Sequence, residues 1–209
     1  MGLKLEKSSK SSIISSKRES DMNSNEISHK GINRSTEIAR SIIKSPDYGR
    51  RLSVLGEIPE VQQKIIDESK KALYHRNGTS FEDLIFIHSS TGEMKKNTTY
   101  EKAYEVMPTK SMKRMVTMAN EYMVIVIHNH PTSSVPSPAD IKAMITHKYK
   151  YGLVIGHNGV IYKYSSIDDF NEIWYEFALR KLDRNGYSKE DFAVFIEEAK
   201  EAGVLVEVI

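Results

Sequence analysis

Val124 to Ile127 is apolar at every position, and the chain then spells HNHPTSSVPSPAD up to Asp140. A strand with one wet face alternates between apolar and polar residues, so an unbroken apolar run predicts a central strand covered by helices on either side. That places the chain in the α/β class. Two imidazoles and a carboxylate follow at the end of this buried segment, where polar groups without partners are costly. A bound metal ion supplies such partners.

Residues two apart on an extended chain point the same way, so His128 and His130 present both imidazoles to one point while Asn129 faces away. Ser137-Pro138-Ala139-Asp140 is a helix start, with serine at the cap, proline at the first position and aspartate at the third, ahead of Ile141, Met144 and Ile145. That cap is a sufficient reason for Ser137, and a first helical turn is a sufficient reason for Asp140. Neither explains two alternating histidines directly after a buried strand. Two nitrogens and one carboxylate oxygen make the three-ligand set of a catalytic zinc that keeps an open position. The chain has no cysteine, which leaves histidine and carboxylate as ligands and excludes disulfides and thiol nucleophiles.

Zinc on such a set lowers the pKa of its water to about 7 and polarises a carbonyl, and the chemistry then needs a proton carrier. Glu82 stands at the mouth of the strand EDLIFIH, expected in the same sheet, and is the choice for general base and acid, with Glu93, Glu101 and Glu105 as competitors. Ser137 is a candidate donor to a developing oxyanion. Asp83, pointing to the other side of a regular strand, reads as structural. His75 and His157 read as a helix-end residue and a turn residue, not as ligands.

Around this core, residues 1–34 are rich in serine and lysine and read as a disordered tail. Residues 35–209 read as the folded domain. Ser35 is expected to cap a short helix carrying Ile38, Ile42 and Ile43, which stops at KSPDYG. A longer helix starts near Pro59 and ends at Asn77-Gly78. Leu84–Ile87 reads as a buried strand, with a partner strand or pair expected in KKNTTYEKAYEVM after the turn at Thr91-Gly92. TKSMKRMVTMAN has helical spacing, GLVIGHNGVIYKY reads as a hairpin on a type I′ turn at Asn158-Gly159, and two further helices precede a terminal strand VLVEVI. Phe170, Ile173, Trp174 and Phe177 read as the inner face of the first of those helices.

A formal charge of +2 on 209 residues does not announce a nucleic-acid surface. No apolar run approaches the roughly eighteen residues of a membrane span, and the N-terminus lacks a signal-peptide apolar stretch, so the expected location is cytoplasmic.

The pattern of His128, His130, Pro131, Ser137 and Asp140, with Glu82 upstream, resembles the MPN+/JAMM (JAB) family of zinc metallopeptidases. The spelling HNHP is similar to the RadC branch, and the combination of NGTSFEDLIFI, HNHPTSSVPSPADI and GLVIGHNGVIYKY is closer to JAMM-like domains of phage minor-head and mobile-element proteins. The resemblance covers roughly residues 60 to 165. The interval from His130 to Asp140 is one residue shorter than the usual eukaryotic and RadC pattern, which calls for a tighter loop. The resemblance implies a three-layer α/β/α sandwich with a central mixed sheet, of the cytidine-deaminase-like kind. It also implies Zn2+ on His128, His130 and Asp140, Glu82 in the base position, and peptidase or isopeptidase hydrolysis of a protein or peptide substrate, such as a ubiquitin-like conjugate or a phage structural protein. The alternative is a non-enzymatic phage or mobile-element binding module on an MPN-like scaffold. DNA binding by analogy with RadC rests on fold alone, and nucleotide deamination is disfavoured because its zinc site needs cysteines.

Overall fold

The computed structural model describes residues 36–167 and 169–209. The tail over 1–34 and the cap at Ser35 lie outside the described residues. The first helix, α1 (Arg40–Lys44), has Ala39 at its N-cap with no side-chain cap bond. The chain does not leave the helical layer at KSPDYG. Ser45 takes the cap of α2 (Pro46–Ser53), accepting from the Tyr48 N–H, and Pro46 suits the first turn because its missing N–H has no partner to lose there. The long helix α3 (Pro59–Arg76) starts at the expected proline.

Strands β1 (Leu84–His88) and β2 (Met94–Asn97) pair antiparallel. The expected pairing in KKNTTYEKAYEVM stops at Asn97 because that side chain turns the backbone. Its oxygen accepts from the Thr99 N–H at 3.1 Å and its amide donates to the Met107 carbonyl at 2.8 Å. Beyond it only an isolated bridge joins Lys102 and Glu105. Helix α4 (Lys110–Met118), capped by Thr109, leads to β3 (Val124–His130), buried along its whole length. Helix α5 (Pro138–His147), β4 (Tyr151–Gly156), β5 (Ile161–Ser166), α6 (Glu172–Asn185), α7 (Lys189–Glu201) and β6 (Val204–Val208) follow.

The six strands form one mixed sheet in the order β2-β1-β3-β4-β5-β6. Only β3 and β4 run parallel; the other neighbours are antiparallel. The run Val124–Ile127 splits between two cores by its pleat. Val124 and Val126 join α4–α7 residues such as Met112, Ile141, Leu179 and Phe195. Ile125 and Ile127 join α1–α3 residues such as Ile43, Leu52, Ile65 and Leu73. The fold is therefore mixed α/β with helices on both faces, and β3 lies inside it.

Two local expectations are corrected. The β4–β5 connection is not a type I′ turn, which needs positive φ at both central residues; here Gly159 alone has it, at 87°. The Gly159 N–H bonds the Gly156 carbonyl at 2.9 Å and the Gly156 N–H bonds the Val160 carbonyl at 2.8 Å, making a three-residue loop with glycine in the left-handed position. In α6 the buried stripe is Tyr175, Ala178, Leu179 and Leu182, while Ile173, Trp174 and Phe177 are exposed and only Phe170, before the helix, packs on the core. Both stripes have helical spacing, so periodicity alone did not choose between them. Among the described residues no helix is long and apolar enough to cross a membrane.

Candidate metal centre

Strand β3 ends on His128 and His130 because the pleat turns both to the same side, and both are buried. Asp140 reaches them from the first turn of α5. The two Nε2 atoms are 3.0 Å apart; His128 Nε2 lies 3.2 Å from Asp140 Oδ1, and His130 Nε2 lies 3.6 Å from Asp140 Oδ2. Two imidazole nitrogens bound tetrahedrally to zinc at ordinary lengths sit roughly 3.3 Å apart. The three side chains are thus already spaced as ligands of one small cation, each offering an atom within 4.8 Å of the others.

The surrounding groups fix how these ligands face. His130 Nδ1 is 3.0 Å from both the Ser134 carbonyl and the Ser134 hydroxyl. A proton on Nδ1 donated to that carbonyl leaves the Nε2 lone pair for the centre. Ser137 and Asp140 form a capping box: the Ser137 N–H and hydroxyl both donate to Asp140 Oδ2 at 2.7 Å, and the Asp140 N–H donates back to the hydroxyl at 3.2 Å. Burial raises the Asp140 carboxyl, but His128 and His130 beside it outweigh that and hold it well below the usual carboxylate range. Asp140 is an anion at neutral pH, aimed by its own helix cap.

The short loop between the ligands is pinned from two sides. Ser133, with φ of 58°, accepts from the Asn158 N–H at 3.0 Å, and the Tyr175 hydroxyl of α6 donates to the Pro136 carbonyl at 2.9 Å. Gly156 permits the close approach, since a Cβ there would lie 2.8 Å from Ser133 Cβ. The β4–β5 connection and helix α6 therefore hold the loop that carries Asp140 to the histidines.

Glu82 lies on the segment leading into β1. Leu84 is opposite His128 in the antiparallel ladder, so continuing that register by two residues brings Glu82 beside His130. The residue is 7% exposed. Burial pushes its carboxyl up to about 7; His130 and Arg76 pull it down, while Asp140 and Glu105 push it further up. Of the competing glutamates, Glu93 sits at the other end of β1, where its carbonyl accepts from the His88 N–H, and its side chain pairs with Lys95. Glu105 pairs with Lys102, and Glu101 is exposed.

No family model, curated protein or solved structure matches the chain.

Several residues around the centre were not singled out by the motif. Asn129 faces away from the ligands, as its place in the alternation requires, yet it is fully buried and bonded to the backbone on both sides of Glu82. His157 is fully buried behind it. Asp83 is structural: Arg76 Nε donates to it at 2.6 Å and His75 Nδ1 lies 2.8 Å away, with Arg76 itself fully buried. The available signal was general. A polar residue inside an all-apolar strand must find partners, and the nearest unpaired backbone is at the strand end.

The raised Glu82 carboxyl gives the zinc-free chain a specific pH dependence. As pH rises from the ordinary value of 4.5 to about 7, the unfolded chain releases the Glu82 proton while the folded chain keeps it. The unfolded state then binds fewer protons, so stability falls through that window by up to about 3 kcal/mol and levels off above it. Urea denaturation of the natural chain and Glu82→Gln across pH 4.5 to 8 should show this decline in the natural chain alone; parallel curves would contradict the burial argument.

Proposed function

We propose that the chain is a zinc-dependent peptidase or isopeptidase of the MPN+/JAMM type, built on that family's three-layer α/β/α sandwich. One observation carries the reading: at a single strand end His128, His130 and Asp140 come together as a possible ligand set, and the buried carboxyl of Glu82 lies beside them. A non-enzymatic metal site has use for the first feature and none for the second.

Zinc held by the three residues supplies Lewis acidity toward a carbonyl oxygen and makes a water acidic at neutral pH. The chain's own groups do the rest. Glu82 takes the proton of the attacking water on its carboxylate and returns it to the leaving amine as the C–N bond breaks. His130 is held by Ser134 with Nε2 toward the centre, and Asp140 is held by Ser137 as an anion. Ser137 spends its hydroxyl proton on Asp140, so its proposed support of an oxyanion requires that hydroxyl to turn away from Oδ2. The substrate class is an amide in a protein or peptide, with a ubiquitin-like conjugate and a phage structural protein as the candidates drawn from the resemblance.

The test is metal analysis of the full chain beside His128→Ala/His130→Ala, followed by zinc-dependent cleavage of peptide and isopeptide substrates. Near-stoichiometric zinc in the natural chain alone, with hydrolysis that a chelator abolishes, is the expected result. Equal, negligible zinc in both after zinc is supplied overturns the reading and favours a binding module.

A further inference from the structure

Glu82 lies outside the ladder that joins β1 to β3, since backbone pairing begins at Leu84 opposite His128. The strand register brings it near the metal ligands, but no ladder bond between β1 and β3 holds it there. The Asn129 side chain makes that connection. Its Oδ1 accepts from the Asp83 N–H at 2.7 Å, and its Nδ2 donates to the Phe81 carbonyl at 3.2 Å. These are the backbone groups immediately after and immediately before Glu82. Asn129 is in turn the residue between His128 and His130, so one side chain ties the ligand-bearing strand to the base-bearing segment.

The amide is itself held in one orientation. Asn129 Nδ2 is 3.1 Å from His157 Nε2, and His157 Nδ1 bonds the Thr36 carbonyl. A proton on Nδ1 directed to that carbonyl leaves Nε2 as acceptor, which fixes the Asn129 Nδ2 and Oδ1 ends without ambiguity. Thr36 also accepts from the Gly78 N–H at 2.9 Å, and the Ala39 N–H bonds the His157 carbonyl at 2.7 Å, so the segment before α1 closes the arrangement. Arg76 and His75 hold the Asp83 carboxylate, but they belong to α3 and fix the segment to that helix, not to β3.

We propose that Asn129 is the positioning residue for Glu82, holding the proton-carrying segment at a fixed distance from the strand that bears His128 and His130. The catalytic part of this inference rests on the peptidase reading; the clamp does not. Asparagine suits the task because it offers an acceptor and a donor to two backbone groups of opposite polarity. Leucine or alanine there leaves the buried Asp83 N–H, and the half-buried Phe81 carbonyl, without the partners Asn129 supplies.

The test reads the zinc-free full chain by amide hydrogen exchange and the zinc-loaded chain by kinetics. In the natural chain the Asp83 N–H, bonded only to a side chain, should be protected like the ladder amides of β1. In Asn129→Ala that protection should drop at least about ten-fold, zinc should remain near one per chain, and kcat should fall about 10- to 100-fold with KM nearly unchanged, as expected for a misplaced catalytic group. A purely structural role would lower stability and leave kcat per folded, zinc-loaded molecule unchanged, which overturns the proposal. So does loss of zinc binding in Asn129→Ala, because the residue would then act on the ligands. If that variant fails to fold, the natural chain still decides: free exchange at Asp83 overturns the clamp and strong protection supports it. Absence of hydrolysis in the natural chain counts against the peptidase reading, while the exchange result judges the clamp independently.

Discussion

Glu82→Gln is expected to bind zinc as the natural chain does and to hydrolyse substrate about 10²–10⁴-fold more slowly, with the loss in kcat. The substitution keeps the shape of the side chain and removes its ability to carry a proton. It touches none of the three ligands, so metal content separates a lost base from a lost site. Folding does not confound the result either, because burial already disfavours the ionised Glu82 and a neutral amide relieves that cost above pH 7. The companion variant Glu105→Gln tests the neighbouring carboxylate, which acts on Glu82 through its charge and is itself paired with Lys102. It should shift the acid limb of the pH–rate profile slightly toward lower pH and leave the plateau rate near the natural value. Full activity in Glu82→Gln would refute the assigned base and move the role to Glu105.

What the sequence made legible follows from which interactions are local. The apolar run Val124–Ile127, the alternation of His128 and His130 and the Ser-Pro-Ala-Asp cap are encoded within a few residues, and the structure has each of them where the pattern puts it. The buried face of α6 is not legible from spacing because two apolar stripes share one helix. Tyr175 and Leu179 won the core through long-range contacts, including the Tyr175 hydroxyl on Pro136, which no window of neighbouring residues contains. The break at Ser45 is both an end and a beginning, since serine followed by proline caps a helix as readily as it stops one. At the centre, the ligand triplet is visible in its spacing, whereas the same alternation turns Asn129 away from the ligands and gives no sign of its partners. Its partners, Phe81 and Asp83, are distant in sequence and become adjacent only when β1 pairs with β3.

Zinc should also act as a folding ligand, and this effect, read together with turnover, separates the two readings of the molecule. The three ligands come from β3 and from α5, joined through a loop pinned by the β4–β5 connection and by α6, so the unfolded chain holds no comparable site. A ligand that binds only the folded state stabilises it by about 4 kcal/mol when its free concentration is about a thousand times its Kd. For a chain of this size each kcal/mol moves the thermal midpoint by about 2–4 °C, so saturating zinc should raise Tm by roughly 8–16 °C and a chelator should reverse it. His128→Ala/His130→Ala should show the same Tm with and without zinc. A zinc-dependent Tm with no hydrolysis of any amide, and with Glu82→Gln indistinguishable from the natural chain, is the signature of a scaffold that uses the metal for structure. A zinc-dependent Tm retained in Glu82→Gln while turnover disappears assigns the metal and the glutamate to separate tasks.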